Sequence, residues 1–212
     1  MTQCISIHPT HPQPRLLKQA AERIRDGAVM AYPTDSCYAL GCHLGDKEAM
    51  ERIRDLRGFG KDHHFTLVCR DLSEIAQYAQ VDTAAYRLLR AVTPGPYTFL
   101  LPATREVPRR LQHPKRRTIG IRIPDHPVVQ GLLEMLREPL MSCTLLMPGE
   151  VDPPTDADAI AARFGKRLDF ILDGGACGLE PTTVVDLFGD APAVVRAGKG
   201  ALEPLGLVSI PD

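Results

Sequence analysis

Short apolar runs alternate with segments of helical period along this chain, and turn residues separate them. Leu16, Leu17, Ala20, Ala21 and Ile24 share one helical face, and Gly27 follows as a natural stop. Residues 28–32 then read as a buried strand. Asp46 predicts the N-cap of a second helix, with Ala49, Met50, Ile53 and Leu56 inward and Gly58 at its end. Residues 66–69 read as a strand, 73–78 and 83–92 as helical, and Thr93-Pro94-Gly95-Pro96 as a tight turn before a strand at 98–101. A strand at 118–123 and a helix at 126–136 follow. In the last third, 140–146 is apolar, 147–150 is a loop, and a helix starts near Thr155 or Asp156. Strands close the pattern at 169–172, 183–187 and 193–196. Strands outnumber helices, and several neighbours are joined by turns too short for parallel crossovers. The predicted fold class is α/β, a twisted mixed sheet with helices on its faces.

One stretch stands out against this pattern. Tyr32-Pro33-Thr34-Asp35-Ser36-Cys37-Tyr38-Ala39-Leu40-Gly41-Cys42 gathers hydroxyl and acidic side chains directly after a core strand. It reads either as a polar turn whose side chains bond nearby amides, or as a ligand cradle at a strand's carboxyl end.

At 212 residues and 44% apolar content the chain is read as one domain, 1–212. No run approaches the roughly 18 apolar residues of a membrane span, and the first residues lack the apolar centre of a signal peptide, so a cytoplasmic location is expected. Six scattered cysteines without a Cys-x-x-Cys pair suit reduced thiols. Zinc through Cys37, Cys42 and His43 matches no common ligand spacing.

Net charge is −1, but Arg105, Arg109, Arg110, Lys115, Arg116, Arg117 and Arg122 face the single acid Glu106 over a short span. Such a block is either a phosphate or nucleic-acid footprint or a solvated face; read as a footprint, it makes Arg109, Arg110, Lys115, Arg116 and Arg117 RNA-binding candidates. No Gly-x-Ser-x-Gly elbow, P-loop or Gly-x-Gly-x-x-Gly motif is present, so covalent catalysis and ordinary nucleotide folds are set aside. What remains are hydroxyls and arginines at strand ends or turns: Thr34, Tyr38, Thr66, Thr93 to Thr98, Ser142, Thr144, Thr182, Thr183, Arg122 and Arg196. Arg122 in Gly120-Ile121-Arg122-Ile123-Pro124 either lines a cleft or pairs with Asp125 or Glu134.

Taken in order, Tyr32 to Gly41, Thr93-Pro94-Gly95-Pro96-Tyr97-Thr98, Ile121-Arg122-Ile123-Pro124-Asp125-His126-Pro127, Asp173-Gly174-Gly175 and Pro181-Thr182-Thr183-Val184-Val185-Asp186 resemble the YrdC/YciO family over nearly the whole chain. The resemblance implies a twisted α/β fold with a large concave basic cleft. In its YrdC branch it implies synthesis of L-threonylcarbamoyladenylate from ATP, L-threonine and bicarbonate, with magnesium accompanying the nucleotide, on the way to threonylcarbamoyladenosine in transfer RNA. Thr34, Tyr38 and Thr66 are then expected at the threonine. Arg57, Lys61, Arg122, Ser142, Thr144, Thr182, Thr183 and Arg196 are expected at the nucleotide. The resemblance departs from the synthases at two points. Their Lys-x-Arg pair is matched by Arg57 and Lys61 at a different spacing, and their Ser-x-Asn is here Ser142-Cys143-Thr144. The wording Asp35-Ser36, Cys42 and Phe65-Thr66-Leu67 is similar to the YciO branch. An alternative expectation is a protein that binds double-stranded or transfer RNA on the basic concave surface without synthase turnover.

Overall fold

The computed structural model describes residues 2–58, 65–189 and 191–207. The strands are β1 (Gln3–Ser6), β2 (Met30–Tyr32), β3 (Ala39–His43), β4 (Thr66–Val68), β5 (Tyr97–Pro102), β6 (Thr118–Arg122), β7 (Leu140–Thr144), β8 (Phe170–Asp173), β9 (Thr183–Asp186) and β10 (Ala193–Arg196). Helices α1 (Pro14–Arg25), α2 (Lys47–Arg57), α3 (Leu72–Tyr78), α4 (Thr83–Val92), α5 (Pro127–Leu136) and α6 (Ala157–Phe164) lie between them. The strands join one sheet in the order β1-β8-β2-β3-β7-β4-β6-β5-β9-β10. Its pairings are mixed: β2–β3, β3–β7, β4–β7, β5–β6 and β9–β10 are antiparallel, while β1–β8, β2–β8, β4–β6 and β5–β9 are parallel.

Two of these strands are absent from the sequence reading. β1 is short and mostly exposed. β3 is buried at the centre of the sheet, so the second half of the stretch from Tyr32 to Cys42 is strand, not loop, and pairs with β2 on one side and β7 on the other.

Successive strand residues point to opposite faces, and the two faces bury different helices. On one face Leu40, Cys42, Leu67, Phe99, Ile121 and Met141 pack with Met50, Ile53, Ile75, Leu89 and Ile160 from α2, α3, α4 and α6. On the other, Met30, Tyr32, Val68, Leu140 and Phe170 pack with Leu17, Ala20, Ile24, Val129 and Leu132 from α1 and α5. Among the described residues two helices serve this second face, and they cover one end of it. The uncovered part is where the chemistry gathers.

Candidate functional site

The direct pairings show how the uncovered floor arises. Leu140 lies opposite Val68, and both are sealed beneath α5. Two residues further along the same strands, on the same face, the row reads Gly41, Ser142, Thr66, Gly120 and Leu100. From Gly41 to Gly120 the change from apolar to small and hydroxylated positions marks where helical cover stops, with Leu100 closing the row at its edge. At Ser142, Thr66 and Gly120 a bulky apolar side chain would fill the hollow, whereas a glycine and hydroxyls leave space that can hydrogen-bond a guest. The resulting cleft is open on one side to solvent, with about 970 Å³ of unfilled space when the solvent at its mouth is included. Ser142, Thr66, Gly120 and Thr98 line it, with Arg57, Arg122, Thr182 and Arg196 around them. Gly120 is the bare position of the floor: a Cβ added there would come within 3.1 Å of Thr66 Oγ1 and 3.5 Å of Thr98 Cγ2. Sequence reading passed over Gly120, although a glycine inside a strand is itself a signal of close approach.

The β2–β3 loop forms one wall. The Thr34 hydroxyl donates to the carbonyl of Cys37 at 2.7 Å and accepts the Ser36 amide at 3.1 Å, so it is spent inside its own turn. The Tyr38 hydroxyl donates to the carbonyl of Gly175 at 2.8 Å, tying the loop to the end of β8, and burial raises its pKa. Ser36 and Cys37 line the cleft, whereas Thr34 and Tyr38 are not among its lining residues.

Arg122 reaches this loop from β6. Its partner is neither Asp125 nor Glu134: Nη2 donates to the Asp35 carboxylate, and the backbone amide of Asp125 donates to the other oxygen of that carboxylate at 3.0 Å. Both side chains are more than nine-tenths buried (8% and 9% exposed), so each charge requires the other. Arg122 therefore lines the cleft as half of an ion pair, with its charge offset.

The remaining hydroxyls divide into two kinds. Ser142 Oγ donates to Leu40 O at 3.0 Å, which leaves it to accept from Tyr32 OH at 2.6 Å. Thr183 Oγ1 donates to Gly200 O at 2.6 Å and accepts the Gly198 amide at 3.0 Å, so it braces the chain behind the cleft and does not line it. Thr182 and Thr98 share a hydroxyl contact of 2.9 Å at the cleft. Arg196 is exposed as a residue, yet its guanidinium lies on Thr182, donating to that carbonyl at 2.9 Å, and desolvation lowers its pKa. Arg57, at the last turn of α2, is buried, and desolvation lowers its pKa as well. It faces the Cys143 thiol, which burial raises to about 12 and Arg57 pulls down. Thr144 lines the cleft beside them, and Lys61 lies outside the described residues.

None of Arg109, Arg110, Lys115, Arg116 and Arg117 lines this cleft. Arg116 pairs with Asp186 at 2.6 Å and lies over the Phe188 ring at 4.7 Å, while Arg110 donates to the carbonyl of Gly45. Arg109 and Arg117, with Arg105, border a separate hollow on the connection from β5 to β6. Among the described residues, no three His, Cys, Asp or Glu side chains gather as metal ligands, and His43 is bonded to Glu138 at 2.8 Å.

The protein is a mixed-sheet α/β fold whose open, hydroxyl-floored cleft, with Arg57, Arg122 and Arg196 in its lining, has donors of the kind that suit a small anion. Comparison with known proteins makes the assignment specific. Residues 22–198 match the Sua5/YciO/YrdC family model, which carries the description "Telomere recombination". The chain is 52% identical over 204 residues to YciO of Escherichia coli K12, spanning 96% of this chain and 99% of that protein. It superimposes on the crystal structure of E. coli YciO with a TM-score of 0.93, over 97% of this chain and all of that one. It is also 38% identical over 160 residues to a threonylcarbamoyl-AMP synthase of Nitrosococcus oceani, covering 74% of this chain and 85% of the synthase. The crystal structure of Pyrococcus abyssi Sua5 complexed with L-threonine matches with a TM-score of 0.85 at 28% identity, over 93% of this chain and 58% of that longer one. The chain belongs to the Sua5/YciO/YrdC family.

Proposed function

We propose that this protein is an ATP-dependent synthase of the L-threonylcarbamoyladenylate type, serving the threonylcarbamoyladenosine modification of transfer RNA. The observation that carries the reading is the floor of Ser142, Thr66 and Gly120 flanked by Arg57, Arg122 and Arg196. The names of two relatives agree with it: one is a threonylcarbamoyl-AMP synthase, and the other was crystallised with L-threonine.

The chemistry asks little of a protein nucleophile. The amine of threonine adds to the carbon of bicarbonate, water leaves, and a carbamate results. A carbamate oxygen then bonds to the α-phosphorus of ATP, the bond to the β-phosphate bridge breaks, and pyrophosphate departs with that electron pair. Such a transfer is accelerated by positioning and by fixed positive charge near the departing oxygens. Arg196 and Arg57 supply charge, Arg122 is held rigidly by Asp35, and Thr182, Thr66 and Thr98 offer hydroxyls that can either donate or accept. None of the described residues lining the cleft is acidic, and the nearby Asp35 is engaged by Arg122. These residues do not form a cage for magnesium; an ion accompanying ATP belongs to the substrate and is held by its phosphates.

The test is pyrophosphate release by purified protein with ATP, L-threonine and bicarbonate. We expect release only when all three are supplied, and its absence under every omission. Pyrophosphate formed at the same rate without threonine would overturn the reading.

A further inference from the structure

The segment Ala197-Gly198-Lys199-Gly200-Ala201 follows β10 and belongs to no element, yet it is seated closely. The Lys199 amide donates to Pro181 O at 2.9 Å, the Gly198 amide to Thr183 Oγ1 at 3.0 Å, and Tyr97 OH donates to Ala201 O at 2.9 Å. The two glycines are required by this seat. A Cβ on Gly198 would stand 2.4 Å from Pro181 O, and one on Gly200 would stand 2.4 Å from the Tyr97 ring. Only the side chain between them is free to project, and it crosses to the opposite wall, where Lys199 Nζ donates to the carbonyl of Asp35.

Asp35 is thus held by two cations, but unequally. Its carboxylate offsets Arg122, whereas Lys199 touches only its carbonyl. Among the described residues no carboxylate pairs with Lys199 or with Arg196, whose guanidinium donates to the carbonyl and hydroxyl of Thr182. The three cations converge on one side chain of the cleft. The Cys37 thiol, raised to about 11 chiefly by burial and further by Cys177, is drawn down by Arg122, Lys199 and Arg196 together. This end of the cleft therefore carries two positive charges that no carboxylate among the described residues offsets, beside the Thr98–Thr182 hydroxyl pair.

We infer that Lys199 is a ligand-binding residue of the cleft, which leaves the Asp35 carbonyl to contact phosphate oxygens of a bound polyphosphate alongside Arg196. A carbonyl is a weaker partner for an ammonium than a phosphate oxygen, so the exchange favours the bound state. A zwitterionic amino acid brings one carboxylate and its own ammonium, which two uncompensated cations exceed; a polyphosphate matches them. The inference rests on the reading of the cleft as a nucleotide site and assigns its phosphate end.

The test is calorimetric titration of the full chain with inorganic pyrophosphate, with ATP and with L-threonine. Lys199→Met, which keeps the aliphatic stem, is compared with Lys199→Arg and with Lys18→Met, a side chain 72% exposed on α1. We expect Lys199→Met to weaken pyrophosphate and ATP about tenfold, with a shallower salt dependence, while its melting temperature and its threonine affinity stay near wild type. Lys199→Arg should retain most of the affinity and Lys18→Met all of it. Unchanged pyrophosphate affinity in Lys199→Met, no pyrophosphate binding by wild type, or a loss confined to threonine would each overturn the inference. The outcomes separate from those of the proposed reaction. Threonine-dependent turnover with unchanged affinity in Lys199→Met removes only Lys199, and weakened polyanion binding without turnover removes only the reaction.

Discussion

His126 occupies the N-cap of α5, and its Nδ1 is buried with no hydrogen-bond partner among the described residues. Burial lowers its pKa; Asp35 and Asp125 oppose that shift, and Arg122 adds to it. The sign follows from linkage: below about pH 6.5 the unfolded imidazole takes up a proton that the folded one resists, so stability falls as pH falls through that range. We predict that His126→Gln flattens the stability slope between about pH 7 and pH 5, read from urea midpoints at each pH. An identical slope in the variant would assign the acid sensitivity elsewhere. Residue identities were legible in the sequence, but partnerships were not. Arg122 was singled out as a cation in need of an acid, yet its acid lies 87 positions away, where no local pattern points. Thr34 shows the converse, since its hydroxyl is engaged three residues away, at Cys37. The stretch around it is a self-satisfied polar turn, and its Ser36 and Cys37 line the cleft.

Among elements, α2 was read most completely. Asp46 accepts from the Ala49 amide at 2.9 Å, Gly58 closes the helix in the left-handed region, and the inward residues are those of the apolar stripe. Its last turn delivers Arg57 to the cleft, so the cap supports the site from a distance. Asp46→Ala is expected to cost about 1 kcal/mol of stability, and Asp46→Asn to restore most of it, measured by chemical denaturation. A neutral Asp46→Ala would mean that tertiary packing alone fixes this helix start. β3 escaped notice because Gly41 interrupts its apolar run and because it begins directly after a turn-rich segment. Its strand character comes from pairing with β2 and β7, which is a tertiary property. The basic stretch from Arg109 to Arg117 lies apart from the cleft. Its charges are real, but Arg116 is offset by Asp186 from β9, and none of the five proposed RNA contacts reaches the cleft.

At the scale of the whole molecule, the site is a consequence of unequal cover. Four helices seal one face of the sheet and two seal part of the other, and the exposed remainder is floored by residues too small or too polar to have been core. Mixed sheet and flanking helices were legible from alternating periodicities. The cleft was not, since it depends on which strands become neighbours: Ser142, Thr66 and Gly120 are adjacent only because β7, β4 and β6 pair in that order. Substrates are proposed to sit on this floor. The most direct measurement is threonine-dependent pyrophosphate release by Gly120→Val beside wild type. The β-branched residue suits a strand, and its Cβ meets Thr66 Oγ1 at a tight but adjustable 3.1 Å while its methyls enter the cleft. We predict a folded variant, with melting temperature near wild type, whose pyrophosphate release falls at least tenfold. A folded Gly120→Val with wild-type release would contradict it.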